Sequence, residues 1–220
     1  MKKLFQAIRQ GDLETVKVLL NKKPELIACT CKQPPKKDDG QSPLQVAIKS
    51  GNFEIVKYLL DAKADVNFME SQECCNQWRA PVIHDAINAA IMNTRWNVNS
   101  ELYNGLKVFH SKEESDQAYQ LLKRIIDMGA DVNGLDSYGN SCLERACLQA
   151  RQILPSYNHQ TKEIGTDRIL TTELEDDLKR IFTLLYNSGM NLNYIKQNEK
   201  ISTKDLFKDD PVAQFLQFDE

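Results

Sequence analysis

Residues 39–67 read DGQSPLQVAIKSGNFEIVKYLLDAKADVN. Ser42 and Pro43 predict a helix start, because a hydroxyl caps the first free N–H groups and proline suits the first helical turn. Gly51 predicts the end of that helix, and apolar residues on both sides of it recur at helical spacing. Two helices this short cannot bury their apolar faces alone, so the stretch predicts similar units on either side.

This stretch resembles the ankyrin repeat. The matching positions are Asp39-Gly40, Ser42-Pro43-Leu44, Ala47, Gly51, Ile55-Val56, Leu59-Leu60 and Ala64-Asp65-Val66-Asn67. Gln45 and Lys63 depart from the family pattern at its His and Gly positions. The resemblance implies an all-α solenoid of stacked helix-turn-helix units with turn/β-finger connections. It also implies a module that binds other proteins without catalysis.

Parts of the pattern recur, and we expect a single ankyrin-repeat domain over the 220 residues. The expected units are an N-terminal capping repeat (1–38), a second repeat (39–79), a third repeat (80–135), a fourth repeat (136–195) and a C-terminal cap with an acidic end (196–220). Long polar segments form the ends of the first two units. We call residues 29–38 the first finger and residues 68–79 the second finger.

The third and fourth repeats each contain an insertion of 27 residues at the same point. In the second repeat 20 positions separate Ala47 from Asn67, whereas 47 positions separate Ala86 from Asn133 in the third repeat. The fourth repeat has the same 47-residue separation. Because adjacent repeats stack, we expect the two insertions to lie side by side.

The insertions are expected to lengthen helices and to add loops. A hydroxyl followed by Glu three residues later, at Ser111 and at Thr172, predicts long second helices over 112–128 and 173–188. Apolar spacing extends the first helix of the third repeat, and Pro155 is expected to end that of the fourth. The remaining loops are residues 94–110 and 155–171.

Composition excludes several classes of function. A net charge of −3 without a clustered basic face argues against nucleic-acid binding. No stretch approaches the roughly 20 apolar residues of a membrane helix, so we expect no membrane partner. We expect a cytoplasmic monomer whose six cysteines are reduced.

By the resemblance, a partner protein binds to the fingers and to the concave surface of the first helices. Exposed aromatic residues and Arg are the side chains that most often anchor interfaces. The finger candidates are Phe68, Met69, Gln77, Trp78, Arg79, Leu135 and Tyr138. The alternative for Trp78 and Tyr138 is that they pack between neighbouring fingers.

The insertions supply a second candidate surface, because long loops inside a compact domain are often functional. Its partner-binding candidates are Trp96, Tyr103, Tyr157 and His159. The alternative is that the helices lengthened together and these aromatic residues cover the enlarged core.

The sequence is also compatible with three other functions. A bacterial effector or immunity-type inhibitor that masks one partner is a special case of protein binding. A metal- or redox-responsive module would use Cys29, Cys31, Cys74 and Cys75, although their spacing differs from the usual zinc knuckle. An enzyme would use His110 and His159 with Asp167 or a cysteine. We expect no catalytic residues, no metal and no cofactor, and His84 occupies the family's structural His position, where the imidazole bonds to the neighbouring turn.

Overall fold

A computed structural model describes residues 1–32 and 35–218, so two residues of the first finger and the acidic end of the predicted C-terminal cap lie outside it. Helices with few short strands make up the molecule, which fits a helical repeat fold. The helices are α1 (Lys2–Gln10), α2 (Leu13–Lys22), α3 (Pro43–Lys49), α4 (Phe53–Asp61), α5 (Val82–Met92), α6 (Lys112–Asp127), α7 (Cys142–Ala150), α8 (Thr172–Asn187) and α9 (Thr203–Leu206). Short 3₁₀ turns occupy Pro24–Ala28, Lys36–Asp38, Glu101–Tyr103 and Pro211–Leu216.

The helices pack in two rows. Helices α1, α3, α5 and α7 contact one another in that order and form the first row, while α2, α4, α6 and α8 form the second row. The apolar sides of both rows face each other, and side chains such as Leu44, Val56, Ile87 and Leu122 are fully buried there. Burying one such side chain contributes about 1.5–3 kcal/mol relative to leaving it exposed.

Side-chain caps fix the helix starts. The Ser42 Oγ accepts a hydrogen bond from the Gln45 backbone N–H, and the Gln45 Oε1 accepts one from the Ser42 N–H. Ser111 and Glu114 form the same reciprocal cap at α6, as the sequence predicts. At α8 the prediction is one residue late, because Thr171 rather than Thr172 accepts the bond from Leu174 N–H. Both long helices also end one residue earlier than predicted.

The end of α7 differs from the sequence prediction. The helix ends at Ala150 rather than at Pro155, and a turn follows it. The Leu154 N–H still donates to the Ala150 carbonyl, and the turn carries Ile153 and Leu154 into the core, where each is at most 1% exposed. The regular helix therefore ends before the proline, and the turn between them packs two side chains into the core.

The predicted loops of the insertions contain antiparallel hairpins. In the first insertion β1 (Asn97–Ser100) pairs with β2 (Gly105–Val108), and in the second β3 (Tyr157–Asn158) pairs with β4 (Glu163–Ile164). Asn104 and Gly105 both have positive φ, at 52° and 119°, which lets the chain reverse between β1 and β2. The residues expected to be plain loop are thus partly strand.

Two asparagines connect consecutive units through backbone groups. The Asn67 side chain donates to the Gly129 carbonyl at 3.0 Å and accepts from the Asp131 N–H at 2.9 Å. Asn133 makes the equivalent pair of bonds one unit later, to Gly189 and Asn191, at 2.9 and 2.8 Å. We call this repeated arrangement the asparagine clasp. It links the loop after α4 to the loop after α6, and the loop after α6 to the loop after α8.

Within the two described ranges, no helix is both long enough and apolar enough to cross a membrane.

Candidate functional site

The fingers lie next to one another and exchange hydrogen bonds. We call residues 134–140 the third finger. The second finger meets the residue that follows the first finger, because the Cys75 N–H donates to the Asp39 carboxylate at 2.9 Å. On its other side, the Arg79 carbonyl accepts from the Ser137 N–H at 2.8 Å, and the Arg79 N–H donates to the Ser137 Oγ at 3.0 Å. The row of fingers is therefore held together by its own polar groups.

First-row helices are tied to the fingers by buried side chains. The His84 Nε2 lies 2.8 Å from the Gly134 carbonyl, which confirms the predicted bond to the neighbouring turn. Gln45, which stands at the family's His position, donates from Nε2 to the Ala80 carbonyl at 2.9 Å. Burial lowers the pKa of His84, so its neutral form is favoured. The amide of Gln45 thus makes the corresponding bond one unit earlier.

Trp78 bridges the second and third fingers. It is half-buried, and its indole N–H donates to the Asp136 carboxylate at 2.8 Å. The Arg145 guanidinium lies 4.9 Å from the ring centre, and the Lys49 ammonium lies 5.7 Å away. Cations at these distances are attracted to the electron-rich face of an indole. Trp78 therefore packs between fingers, and it also contributes one wall of a groove described below.

Asp136 organises the third finger. Its carboxylate accepts hydrogen bonds from Trp78 and from the backbone N–H groups of Tyr138 and Asn140, and Arg145 lies 3.5 Å away. Burial opposes ionisation of this group, but these hydrogen bonds outweigh it and hold the pKa of Asp136 below its usual range. The carboxylate is charged at neutral pH and keeps the finger in one conformation.

A groove of about 330 Å³ lies between α3 and α5, below the second finger. Trp78 lines one side of it, Lys49 lies at the end of α3, and Asp85 lies on α5. Asp85 is 4% exposed, and burial raises its pKa to about 7, with Lys49 and Arg145 opposing and Glu70 reinforcing that shift. The groove thus combines an aromatic wall with the Lys49 ammonium and a carboxyl group whose pKa is raised to about 7.

The raised pKa predicts how Asp85 affects stability. A carboxyl group whose pKa is raised in the folded state stabilises the fold at pH values below its ordinary pKa of 3.8. This contribution is lost as the pH rises from there to about 7. The wild type is expected to lose up to about 1.4 kcal/mol per pH unit from this group in that range. Asp85→Asn removes the titration, so its stability relative to the wild type should increase with pH and level off above 7. Urea unfolding at several pH values measures this difference.

Asp176→Asn is the matched control, because Asp176 is an exposed carboxylate on α8. Its stability difference from the wild type should stay flat over the same range. A flat profile for Asp85→Asn would contradict the prediction.

The finger candidates lie at different depths. Leu135 is 40% exposed and Tyr138 is 52% exposed, and both belong to the third finger. Gln77 is exposed at the end of the second finger. The half-buried candidates are Phe68, Met69, Trp78 and Arg79. Among these candidates the most accessible apolar side chains are therefore those of the third finger.

The two insertions contact each other through named polar pairs. Asn97 is fully buried, and its side chain bonds both the N–H and the carbonyl of Ile169, at 2.9 and 2.7 Å. The Asn99 N–H donates to the Asp167 carbonyl at 2.8 Å. Just before β1, Arg95 forms an ion pair with the buried Asp177 of α8 at 2.9 Å. The insertions therefore lie side by side, as predicted.

Aromatic residues of the first insertion form a cluster. The rings of Trp96 and Phe109 stack with centres 4.2 Å apart, and Tyr103 meets Phe109 edge-on at 6.2 Å. The Lys107 ammonium lies 4.5 Å from the Tyr103 ring centre and 4.9 Å from that of Phe109. Trp96 also packs against the core, whereas Tyr103 is 43% exposed. In the second insertion Tyr157 and the exposed His159 meet edge-on at 4.9 Å.

The finger cysteines bond to backbone carbonyls. The Cys74 and Cys75 thiols lie 3.6 Å from the carbonyls of Asn76 and Lys36, respectively. Burial raises the pKa of the Cys29 and Cys31 thiols, and desolvation together with Asp39 raises that of Cys75. Among the described residues no group of three or more His, Cys, Asp or Glu side chains is arranged to hold a metal ion.

The hypothetical acid–base group is not assembled. Asp167 accepts hydrogen bonds from the Ser156 N–H and hydroxyl and pairs with Arg168. His159 faces Asp210 at 3.8 Å, and His110 faces Glu114 at the same distance. The two histidines and Asp167 therefore have separate partners.

Sequence reasoning missed several residues that organise these surfaces. They are Lys49, Asp85, Asp136, Arg145, Arg95, Asn97 and Asp177. The first hairpin was also missed, although the dipeptide Asn104-Gly105 is typical of a hairpin turn and was a signal for it. The ion pairs carry no such local signal, because their partners are far apart in the sequence.

A protein-family model described as "Ankyrin repeats (3 copies)" matches residues 3–70. The match covers α1 to α4 and ends at the start of the second finger. It does not include the units that carry the insertions.

Proposed function

Since this chain is an ankyrin repeat protein, we propose that it binds another protein, without catalysis, on the surface made by its fingers and first-row helices. Ankyrin repeats are generally protein–protein interaction modules. The proposal includes a solenoid of four repeats and a C-terminal cap, divided as the sequence predicts, that acts as a cytoplasmic monomer. An effector or inhibitor that masks a single partner would be one form of this function.

The exposed apolar side chains of the third finger carry the proposal. Leu135 and Tyr138 are exposed beside a finger row whose polar groups are already bonded to one another. Such a surface loses little conformational freedom on binding, because the supporting network orders it beforehand. Exposed aromatic residues on an ordered support are the usual anchors of protein interfaces.

The groove below the second finger extends this surface. Its aromatic wall, Trp78, is fixed by Asp136, and Lys49 lies at its rim. A partner side chain that enters the groove meets both apolar and charged groups. We therefore propose that the groove receives part of the partner bound at the third finger, and that the insertions form a second contact surface.

The cysteine alternative has less support. Metal ligation and redox reactions of cysteine require the thiolate. The raised pKa values of Cys29, Cys31 and Cys75 disfavour that form at neutral pH.

Photo-crosslinking from the third finger tests the proposal. A photoreactive phenylalanine analogue in place of Tyr138 should crosslink a partner in native lysate, and the same analogue in place of Val18 should not. Val18 is a matched control, because it is 64% exposed on α2 in the second row. For the captured partner, purified Leu135→Ala/Tyr138→Ala should bind about tenfold or more weakly than the wild type. Trp78→Ala is avoided here, because it would remove a hydrogen bond to Asp136.

Equal affinity of the wild type and the double variant for the captured partner would contradict the assignment to the third finger. Loss of binding after Val18→Ala would also contradict it.

A further inference from the structure

The outer edge of β2 carries backbone groups that point away from the hairpin. The Phe109 N–H donates to the Trp96 carbonyl at 3.0 Å, and the register then pairs Val98 with Lys107. In an antiparallel ladder bonded and non-bonded pairs alternate, so Val98 and Lys107 exchange hydrogen bonds. The N–H and carbonyl groups of Leu106 and Val108 therefore face outward.

The opposite edge of the hairpin is already covered. The Asn99 N–H of β1 bonds to the Asp167 carbonyl, and the Asn97 side chain holds Ile169. On the β2 edge, by contrast, neither the Leu106 nor the Val108 N–H has a hydrogen-bond partner within residues 1–32 and 35–218. The Leu106 and Val108 side chains are 45% and 49% exposed. An unpaired edge with exposed apolar side chains is a template for a further strand.

The positive charge of Lys107 at this edge favours particular residues in an added strand. Side chains alternate along β2, so Leu106 and Val108 share one face and Lys107 lies on the other. Lys107 is held over the rings of Tyr103 and Phe109, which positions its ammonium. A residue opposite Lys107 on an added strand is favoured if it is acidic, and residues opposite Leu106 and Val108 are favoured if they are apolar.

We propose that the β2 edge docks an extended segment of another protein, in which an acidic residue stands between two apolar ones. Backbone hydrogen bonds to Leu106 and Val108 hold the segment, and Lys107 selects the acidic residue. This proposal rests on the proposed function in one respect, which is that the chain binds another protein. A second copy fits less well, because twofold pairing centred on Lys107 sets two ammonium groups opposite each other, which is destabilising.

Hydrogen exchange on the full chain tests the docking site directly. The probe is the capped synthetic peptide Ser-Thr-Val-Glu-Val-Thr-Ser, and exchange is followed by NMR at the Leu106 and Val108 amides. When about 90% of the protein has peptide bound, both amides should exchange about tenfold more slowly, because only the protein molecules without peptide then exchange. The same peptide N-methylated at the amides that face β2 should give no protection. A peptide with Lys in place of Glu should bind about threefold more weakly or worse.

Two variants test the roles of the charge and of the backbone. Lys107→Glu should reverse the preference between the Glu and Lys peptides, whereas Lys200→Glu, an exposed lysine near the C-terminus, should leave it unchanged. Val108→Pro removes one outward donor that the hairpin itself does not use, so it should abolish binding while the Trp96–Phe109 stacking signals persist.

The proposal is overturned if the N-methylated peptide protects the amides equally or if no peptide protects them. Protection without peptide that rises with protein concentration would identify a second copy as the occupant and overturn it as well. Because this assay does not use the partner captured through Tyr138, failure at the β2 edge and failure of the finger surface are separate results.

Discussion

Phe182→Ala is expected to lower the free energy of unfolding by about 3–5 kcal/mol. Phe182 lies on α8 and is 0% exposed, and its ring stacks on Phe215 of the C-terminal 3₁₀ turn with centres 5.7 Å apart. The substitution therefore opens a cavity in the core and removes one of the contacts that hold the C-terminal turn against α8. Urea unfolding followed by circular dichroism measures the change.

Tyr138→Ala is the control, because it truncates an aromatic ring that is 52% exposed. It should change the free energy of unfolding by no more than about 0.5 kcal/mol. A loss below about 1 kcal/mol for Phe182→Ala would show that the α8 core is not packed as the structure describes.

Asp177→Asn is expected to cost about 2–3 kcal/mol, below the roughly 3–5 kcal/mol of a fully buried pair because its partners keep some exposure. The Asp177 side chain is 1% exposed and binds the Arg95 guanidinium through both oxygens, and Arg180 lies 3.1 Å away. Asparagine preserves the volume but leaves both arginines without this counter-charge. The expected result is lower stability together with a looser first insertion, measured by urea unfolding and by hydrogen exchange in β1.

The same carboxylate predicts a pH dependence. Burial opposes ionisation, but hydrogen bonds from Arg95 outweigh it and lower the pKa of Asp177. Its stabilising contribution is therefore complete at pH values above the ordinary pKa of 3.8. It is lost as the pH falls through the lower pKa of the folded state. The difference between wild type and Asp177→Asn should shrink in acid.

Glu175→Gln on the same helix is the matched control, because the partly exposed Glu175 pairs with the exposed Lys179. Exposed pairs contribute little, so the unfolding midpoint should hardly change. Equal effects of the two substitutions would contradict the special role of Asp177.

Short-range patterns predicted the helices well. The caps at Ser42 and Ser111 and the apolar spacing of α5 depend on residues three or four positions apart, and the structure contains them as expected. The errors lie where distant contacts decide the outcome. The turn after α7 packs Leu154 into the core, and contact with the second insertion stabilises a hairpin in the first.

The candidate surface was predictable in part. The side-by-side insertions followed from equal insertion points in adjacent repeats. The groove did not, because Lys49, Trp78 and Asp85 come from three separate segments. The raised pKa of Asp85 depends on how deeply the packed helices bury it, and a sequence pattern does not contain that depth.

The asparagine clasp has a consequence for how such a protein can diverge. Asn67 and Asn133 bind only backbone groups of the following unit. Substitutions in the side chains of that unit therefore leave the bonds in place, and the spacing of the units persists. Exposed finger side chains such as Leu135 and Tyr138 can consequently change in the course of evolution, and recognition can be retargeted, without a new scaffold.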